Sequence, residues 1–240
     1  MDRSKAADMN KNLILLHSEN NSKKLLNAAL MLKPFTEFDI LLIDDDTMES
    51  VKETLAENPQ IRCIIYDTPA EFGSSLLSAF EYARDFGYEY LITLDADNPG
   101  FIKDMPQIIE NLKYDFDIIS FSRILENFNY EKIPEKYLHD SETISIALKE
   151  ISELDITDPL SENKCFRISS LAQMELTEYT HTILLQILIQ AAYFDLSIIE
   201  IPSNSGENFG KEFDLYEDIL LESLAVMETE KYLYPKGTIN

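Results

Sequence analysis

Two aspartates one residue apart, Asp95 and Asp97, close an apolar run in the segment YLITLDADNPG. Alternate residues of an extended chain point to the same side, so two acids spaced this way at a strand end can converge on one divalent cation or a sugar phosphate. Acids on a turn also serve as plain solvated caps, and the Asn98-Pro99-Gly100 turn that follows leaves that reading open. A second acidic run, Asp44-Asp45-Asp46, follows the apolar segment ILLI in the same manner. Other reactive side chains are sparse. Cys63 and Cys165 each lie in an apolar run and read as buried, reduced thiols. Cys and His show no metal-ligand spacing, and His17, His139 and His181 are scattered along the chain.

The elements that must position these acids follow from the apolar periodicity. Strands are expected over 13–16, 40–43, 62–66, 90–94 and 117–121, with helices over 23–32, 49–57, 74–86 and 102–112 between them. Pro34 and Gly87 mark two of the helix ends. Five alternations of strand and helix argue for a mostly parallel α/β sheet covered by helices on both faces, with ligands beyond the carboxyl ends of the strands. Both acidic clusters fall at such ends. Residues 124–140 read as a long polar loop. Beyond it are expected helices over 141–152, 169–176 and 182–192, strands over 164–167 and 196–201, a glycine-containing loop over 203–211 and an acidic helix over 214–232. Without a repeat or a linker, the chain reads as a single domain over 1–240, with a first half over 13–121, a second over 122–213 and a terminal helix.

The chain holds 44 acidic against 20 basic residues, a formal charge of −24. Such a surface repels nucleic acid and anionic lipid, favours solubility and raises the local concentration of divalent cations. The polar start MDRSKAADMNKN lacks a signal-peptide core. The most apolar stretch, 183–194, carries Gln186 and Gln190 and is shorter than the about 20 residues a membrane span takes. A soluble, cytoplasmic protein is expected.

The segment GYEYLITLDADNPGFIKDMP, 87–106, resembles the family 2 glycosyltransferases of GT-A fold, in the branch that includes dolichyl-phosphate mannosyltransferase. That family has a Gly-Tyr pair, an apolar strand, Asp-Ala-Asp and an Asp-Ile-Pro-like sequence, matched here through Asp95-Ala96-Asp97 and Asp104-Met105-Pro106. The likeness continues more loosely elsewhere. Ile43-Asp44-Asp45-Asp46-Thr47 is similar to its Val-Asp-Asp-Gly-Ser, and Phe72-Gly73-Ser74-Ser75 to its glycine-rich segment. DIISFSR, ending at Arg123, resembles the stretch ending in Gly-Ser-Arg, and Thr157-Asp158-Pro159-Leu160-Ser161 the acceptor-side loop. Ile199-Glu200-Ile201-Pro202 and Gly210-Lys211 resemble its Glu-Val-Pro strand and the basic loop after it. The chain departs from the pattern at Leu16-His17-Ser18-Glu19-Asn20, where the family has Pro-Thr-Tyr-Asn-Glu, at Asp46, and at Glu162-Asn163-Lys164, where it has Gly-Phe-Arg.

The resemblance implies a metal-dependent, inverting transfer of a sugar from a UDP- or GDP-linked donor, with Mg²⁺ or Mn²⁺ stabilising the departing diphosphate. It implies Asp97 as metal ligand, Asp95 at the metal or the ribose, and Asp44, Asp45 and Gly73 in the nucleotide-sugar site. Asp158 is the candidate general base, and equally a cap of the Pro159 turn. Arg123, Lys164 and Lys211, with Arg167, are the cations available to a phosphate acceptor. The acceptor the resemblance implies is a polyprenyl phosphate or a glycan. The departures leave a degenerate binding or scaffold protein as the alternative. A sugar-phosphate nucleotidyltransferase ranks lower, because a glycine-rich loop with a basic residue near the first strand is missing.

Overall fold

A computed structural model of the chain describes residues 10–18, 22–44, 55–66, 71–125, 130–203 and 219–235. Seven strands form one sheet: β1 (Asn12–His17), β2 (Phe38–Asp44), β3 (Ile61–Ile65), β4 (Tyr90–Asp95), β5 (Ile118–Ser122), β6 (Lys164–Arg167) and β7 (Ile198–Pro202). Their order is β3-β2-β1-β4-β6-β5-β7. β1, β2, β3 and β4 pair in parallel, as do β5 and β7. β6 runs antiparallel to both β4 and β5 and lies between them. The expected mostly parallel sheet is therefore present, with one reversed strand supplied by the second half of the chain.

The continuous apolar runs arise because the central strands are covered on both faces. In β1, Ile14 and Leu16 enter one core with Leu25, Ala29, Phe101 and Ile108. Leu13 and Leu15 enter the opposite core with Phe72, Leu76, Ala83 and Leu184. The helices over these faces are α1 (Ser22–Met31), α2 (Phe72–Phe86), α3 (Met105–Asn111), α5 (Ile168–Leu171) and α6 (Ile183–Tyr193), while α4 (Glu135–Ser152) and α7 (Ile219–Leu233) pack with α6 around a third core that includes Ile144, Leu185 and Met227. Gly87 ends α2 in the left-handed conformation, φ 78°, and its N–H and that of Tyr88 return to the last turn.

Three expectations change. The polar stretch read as a loop over 124–140 holds the start of α4, which begins at Glu135 directly after Pro134. Its buried side includes Tyr137, Asp140 and Ser141 ahead of Ile144 and Leu148, so the inward face of the first turns is polar and gives no apolar stripe. The helix expected over 102–112 opens with a 3₁₀ turn, Pro99–Lys103, before α3. The helix expected over 169–176 is only the single turn α5.

In α6, Gln186 and Gln190 interrupt the apolar run because their amides donate to the buried carboxylate of Glu230, at 2.8 and 3.0 Å. α7 is thereby fastened to α6 by polar contacts inside an apolar seam. Among the described residues no helix is long and apolar enough to cross a membrane.

Candidate active site

The carboxyl ends of β1 and β4 lie side by side, with His17 opposite Asp95 in the register. The Ala96 N–H donates to the His17 carbonyl at 2.7 Å, so the acidic turn is held against β1. Asp95 Oδ1 accepts from the Asp97 N–H at 2.8 Å, and the Asp95 N–H donates to Asn163 Oδ1 at 2.8 Å. Asp97 Oδ2 accepts from Ser18 Oγ at 2.9 Å, and Lys24 of α1 ion-pairs with its other oxygen. Ser18 and Lys24 carry no sequence signal of their own. They reach Asp97 because β1 and β4 are neighbours.

The reversal of β6 decides what else arrives. The residues that precede an antiparallel strand lie at the carboxyl end of its parallel-running neighbour. Glu162 and Asn163 therefore stand beside Asp95 rather than at the far edge of the sheet. Thr93 Oγ1 donates to the Glu162 carbonyl and fixes the segment to β4. Glu162 Oε1 meets His181 Nε2 at 2.6 Å. His17 and His181 face each other with ring centroids 6.3 Å apart, and Phe72 stacks on His181 and meets His17 edge-on.

Burial, then the charges of Glu162 and Asp97, push the Asp95 carboxyl well above the usual range. Burial opposes ionisation of Glu162 as well, yet the neighbouring His181 and His17 outweigh it and hold that carboxyl low. Burial also lowers the pKa of His17. Oxygen donors from Asp95 and Asp97 on one turn fit a hard divalent ion such as Mg²⁺ or Mn²⁺.

On the other side of Glu162, Asp158 is fully buried and committed to Arg123. Its Oδ2 accepts from Arg123 Nε at 2.8 Å and from the Arg123 backbone N–H at 3.0 Å, and its Oδ1 from the guanidinium at 3.0 Å and from Tyr137. The guanidinium also covers the Tyr137 ring, 4.6 Å from its centroid. Burial alone would raise the Asp158 pKa, but Arg123 and Tyr137 hold it below the ordinary value. A carboxylate so engaged is a weaker proton acceptor than a free one, which bears on the general-base role expected for Asp158. The carboxylate of Glu200 in turn binds the N–H groups of Thr157 and Asp158, at 2.9–3.1 Å, and fixes the loop.

The other expected cations are placed differently. Lys164 is fully buried and donates to Ser120 Oγ at 2.7 Å, and burial brings its pKa down to about 8 against the pull of Asp158 and Glu200. It lies within the β-sheet, shielded from solvent. Arg167 lies at the opposite end of β6, opposite Tyr90 in the register, with Asp115 and Asp117. Gly73 meets backbone rather than open space: a Cβ there would come 2.4 Å from the Tyr179 carbonyl carbon. Asp44 ends β2, opposite Ile65, at the same edge of the sheet as Asp95. Asp45 and Lys211 lie outside the described residues.

Neither a family model nor a curated protein sequence matches the chain. Solved structures do. Glucosyl-3-phosphoglycerate synthase from Mycobacterium tuberculosis, in complex with Mn²⁺, UDP-glucose and phosphoglyceric acid, superposes with a TM-score of 0.63 at 12% identity over 91% of this chain and 78% of that one. A 4-diphosphocytidyl-2C-methyl-D-erythritol synthase superposes with a TM-score of 0.54 at 11% identity over 90% of this chain and 100% of that one. The chain has the GT-A, or nucleotide-diphospho-sugar transferase, fold. Ligands of open α/β sheets bind beyond the carboxyl ends of the strands, here the edge formed by β1, β2 and β4. Asp44, Asp95 and Asp97 lie there, together with His17 and Glu162, which had been legible only as departures from the family pattern.

Proposed function

We propose that the chain is a metal-dependent, inverting glycosyltransferase that takes a sugar from a nucleoside-diphosphate sugar. The observation that carries this reading is the Asp95-Ala96-Asp97 turn, held by Ser18, Asn163 and the His17 carbonyl at the carboxyl ends of β1 and β4. Asp97 would hold Mg²⁺ or Mn²⁺, with Asp95 at the metal or the ribose. When bound, that ion supplies Lewis-acid stabilisation of the departing diphosphate. Ser18 orients Asp97, and the Asp97 N–H and Asn163 orient Asp95. Asp44 and Asp45 are assigned to the base and ribose. The Mn²⁺ and UDP-glucose bound by glucosyl-3-phosphoglycerate synthase support this assignment by analogy of fold.

Engagement of Asp158 by Arg123 bears on the acceptor. A hydroxyl acceptor needs a base, whereas a phosphate or carboxylate brings its own nucleophilic oxygen. An anionic acceptor is therefore favoured, a lipid phosphate or a small phosphorylated acid, with Lys211 as its cation, since the Arg123 charge is taken up by Asp158. A non-catalytic nucleotide-sugar-binding protein is the second reading, and the ion pair of Lys24 with Asp97 favours it.

Titration calorimetry with Mn²⁺ and a panel of UDP- and GDP-sugars separates these outcomes. Binding that Asp97→Ala abolishes, with release of the nucleoside diphosphate on adding an anionic acceptor, supports the transferase. Binding without turnover supports the second reading. Absence of Mn²⁺-dependent binding to the wild-type protein removes the transferase, and absence of any nucleotide-sugar binding, with or without the ion, removes both.

A further inference from the structure

His17, Glu162 and His181 are the group of three His, Cys, Asp or Glu side chains that, among the described residues, come close enough to share a metal ion. One donor atom from each lies within 4.8 Å of the others. His17 is 5% exposed, and its Nε2 has no hydrogen-bond partner. An unmatched ring nitrogen in such a setting is a costly feature unless something binds it. The rings are not free to turn away. Phe72 stacks on His181 at 5.2 Å with an interplanar angle of 12°, and meets His17 at 5.3 Å and 81°. Glu162 is tethered through its carbonyl by Thr93.

We propose that His17, Glu162 and His181 form a second metal site that takes a zinc-class transition ion. Two imidazoles and one carboxylate make an open three-ligand set, which leaves a fourth position for water or an oxygen ligand. Imidazole donors favour Zn²⁺ and its neighbours in the series over Mg²⁺ or Ca²⁺, which take oxygen. Tetrahedral coordination with bonds of about 2.0–2.1 Å sets neighbouring donors roughly 3.3 Å apart. The 2.6 Å contact between His181 and Glu162 would open by less than 1 Å as the ion replaces the proton they share, and His17 would close the third side. The site is separate from the Asp95–Asp97 turn in donor type and in residues, and it does not depend on the transferase reading.

The test uses the full chain, stripped with a chelator and dialysed. Titration with Zn²⁺ by calorimetry, and with Co²⁺ by its visible ligand-field absorption, is expected to give one equivalent with a four-coordinate cobalt spectrum. His17→Ala, His181→Ala and Glu162→Gln are each expected to weaken binding at least about tenfold, while Asp97→Ala retains it. X-ray absorption at the zinc edge of the wild-type protein, which requires no variant to fold, is expected to show two imidazole ligands. Three results overturn the proposal: no stoichiometric Zn²⁺ binding, an absorption spectrum without imidazole scattering, or binding lost in Asp97→Ala and kept in both histidine variants. Failure of the Mn²⁺–nucleotide experiment leaves this outcome untouched, because the probes and the residues differ.

Discussion

The Lys24 ammonium and a divalent cation compete for the same carboxylate. Lys24 is 41% exposed and Asp97 12%, so the ion pair is partly screened and worth little by itself. Under the proposed function, Lys24→Ala removes the competitor, and Mn²⁺ affinity is expected to rise a few-fold in calorimetry. A fall would mean that Lys24 supports the site instead of blocking it. Asp158 presents the opposite case, a buried charge with its partners in place. Breaking such a pair from one side costs about 3–5 kcal/mol, and Asp158→Asn is expected to lower the unfolding free energy by that order at pH 7. The sign with pH follows from the lowered pKa of Asp158 in the folded protein. Below its ordinary value of 3.8 the unfolded chain takes up this proton first, so stability falls with pH. The wild-type advantage over Asp158→Asn should hold from pH 7 to about 5 and close as the pH drops through 3.8 and beyond. Urea melts across that range measure it, and a gap that is flat down to full acid unfolding would rule out the linkage.

At the scale of elements, the start of α2 is locked to the segment before α6. Gly73 has the Tyr179 carbonyl carbon and the Thr180 oxygen 2.4 and 2.6 Å from where a Cβ would sit, and the Ser74 N–H donates to the Tyr179 carbonyl at 3.0 Å. Neither neighbour is a flexible side-chain end, so the backbone itself has to yield. Gly73→Ala is expected to cost about 3 kcal/mol in a urea melt. A loss below about 0.5 kcal/mol would show that the two segments part easily. The glycine-rich likeness at 72–75 suggested a nucleotide cradle; the close approach of two backbones is sufficient reason for a glycine at 73. The first turns of α4 were hidden by a related effect. Tyr137 and Ser141 face inward to reach Asp158 and the Thr157 carbonyl. A helix that buries hydrogen-bonding groups has no apolar period to read.

For the molecule as a whole the dominant long-range term is its charge of −24. Self-repulsion of that size weakens the compact state, and salt screens it over about 10 Å at 0.1 M. The thermal midpoint is expected to rise by several degrees between roughly 10 and 150 mM KCl. An unchanged midpoint would mean that the acids are already neutralised in pairs. The same field draws divalent cations toward the sheet edge where Asp95, Asp97 and Glu162 gather.

The amino-acid sequence by itself determined the parallel half of the sheet. Apolar runs such as LILL, ILLI and YLITL have to be buried on both faces, and alternation with amphipathic helices leaves few other arrangements. It also placed Asp95 and Asp97 on one turn, because period-two geometry and the Asn98-Pro99-Gly100 turn are local. Only the tertiary structure decided who their neighbours are. Insertion of β6 between β4 and β5, reversed, pairs residues 71 to 77 positions apart with β4 and 44 to 48 apart with β5, which no local pattern encodes. That insertion carries Glu162 and Asn163 to the end of β4, buries Lys164, and sets Asp158 against Arg123. His17, Glu162 and His181, dispersed along the chain, meet for the same reason: three strand ends and a helix start converge where the sheet reverses direction.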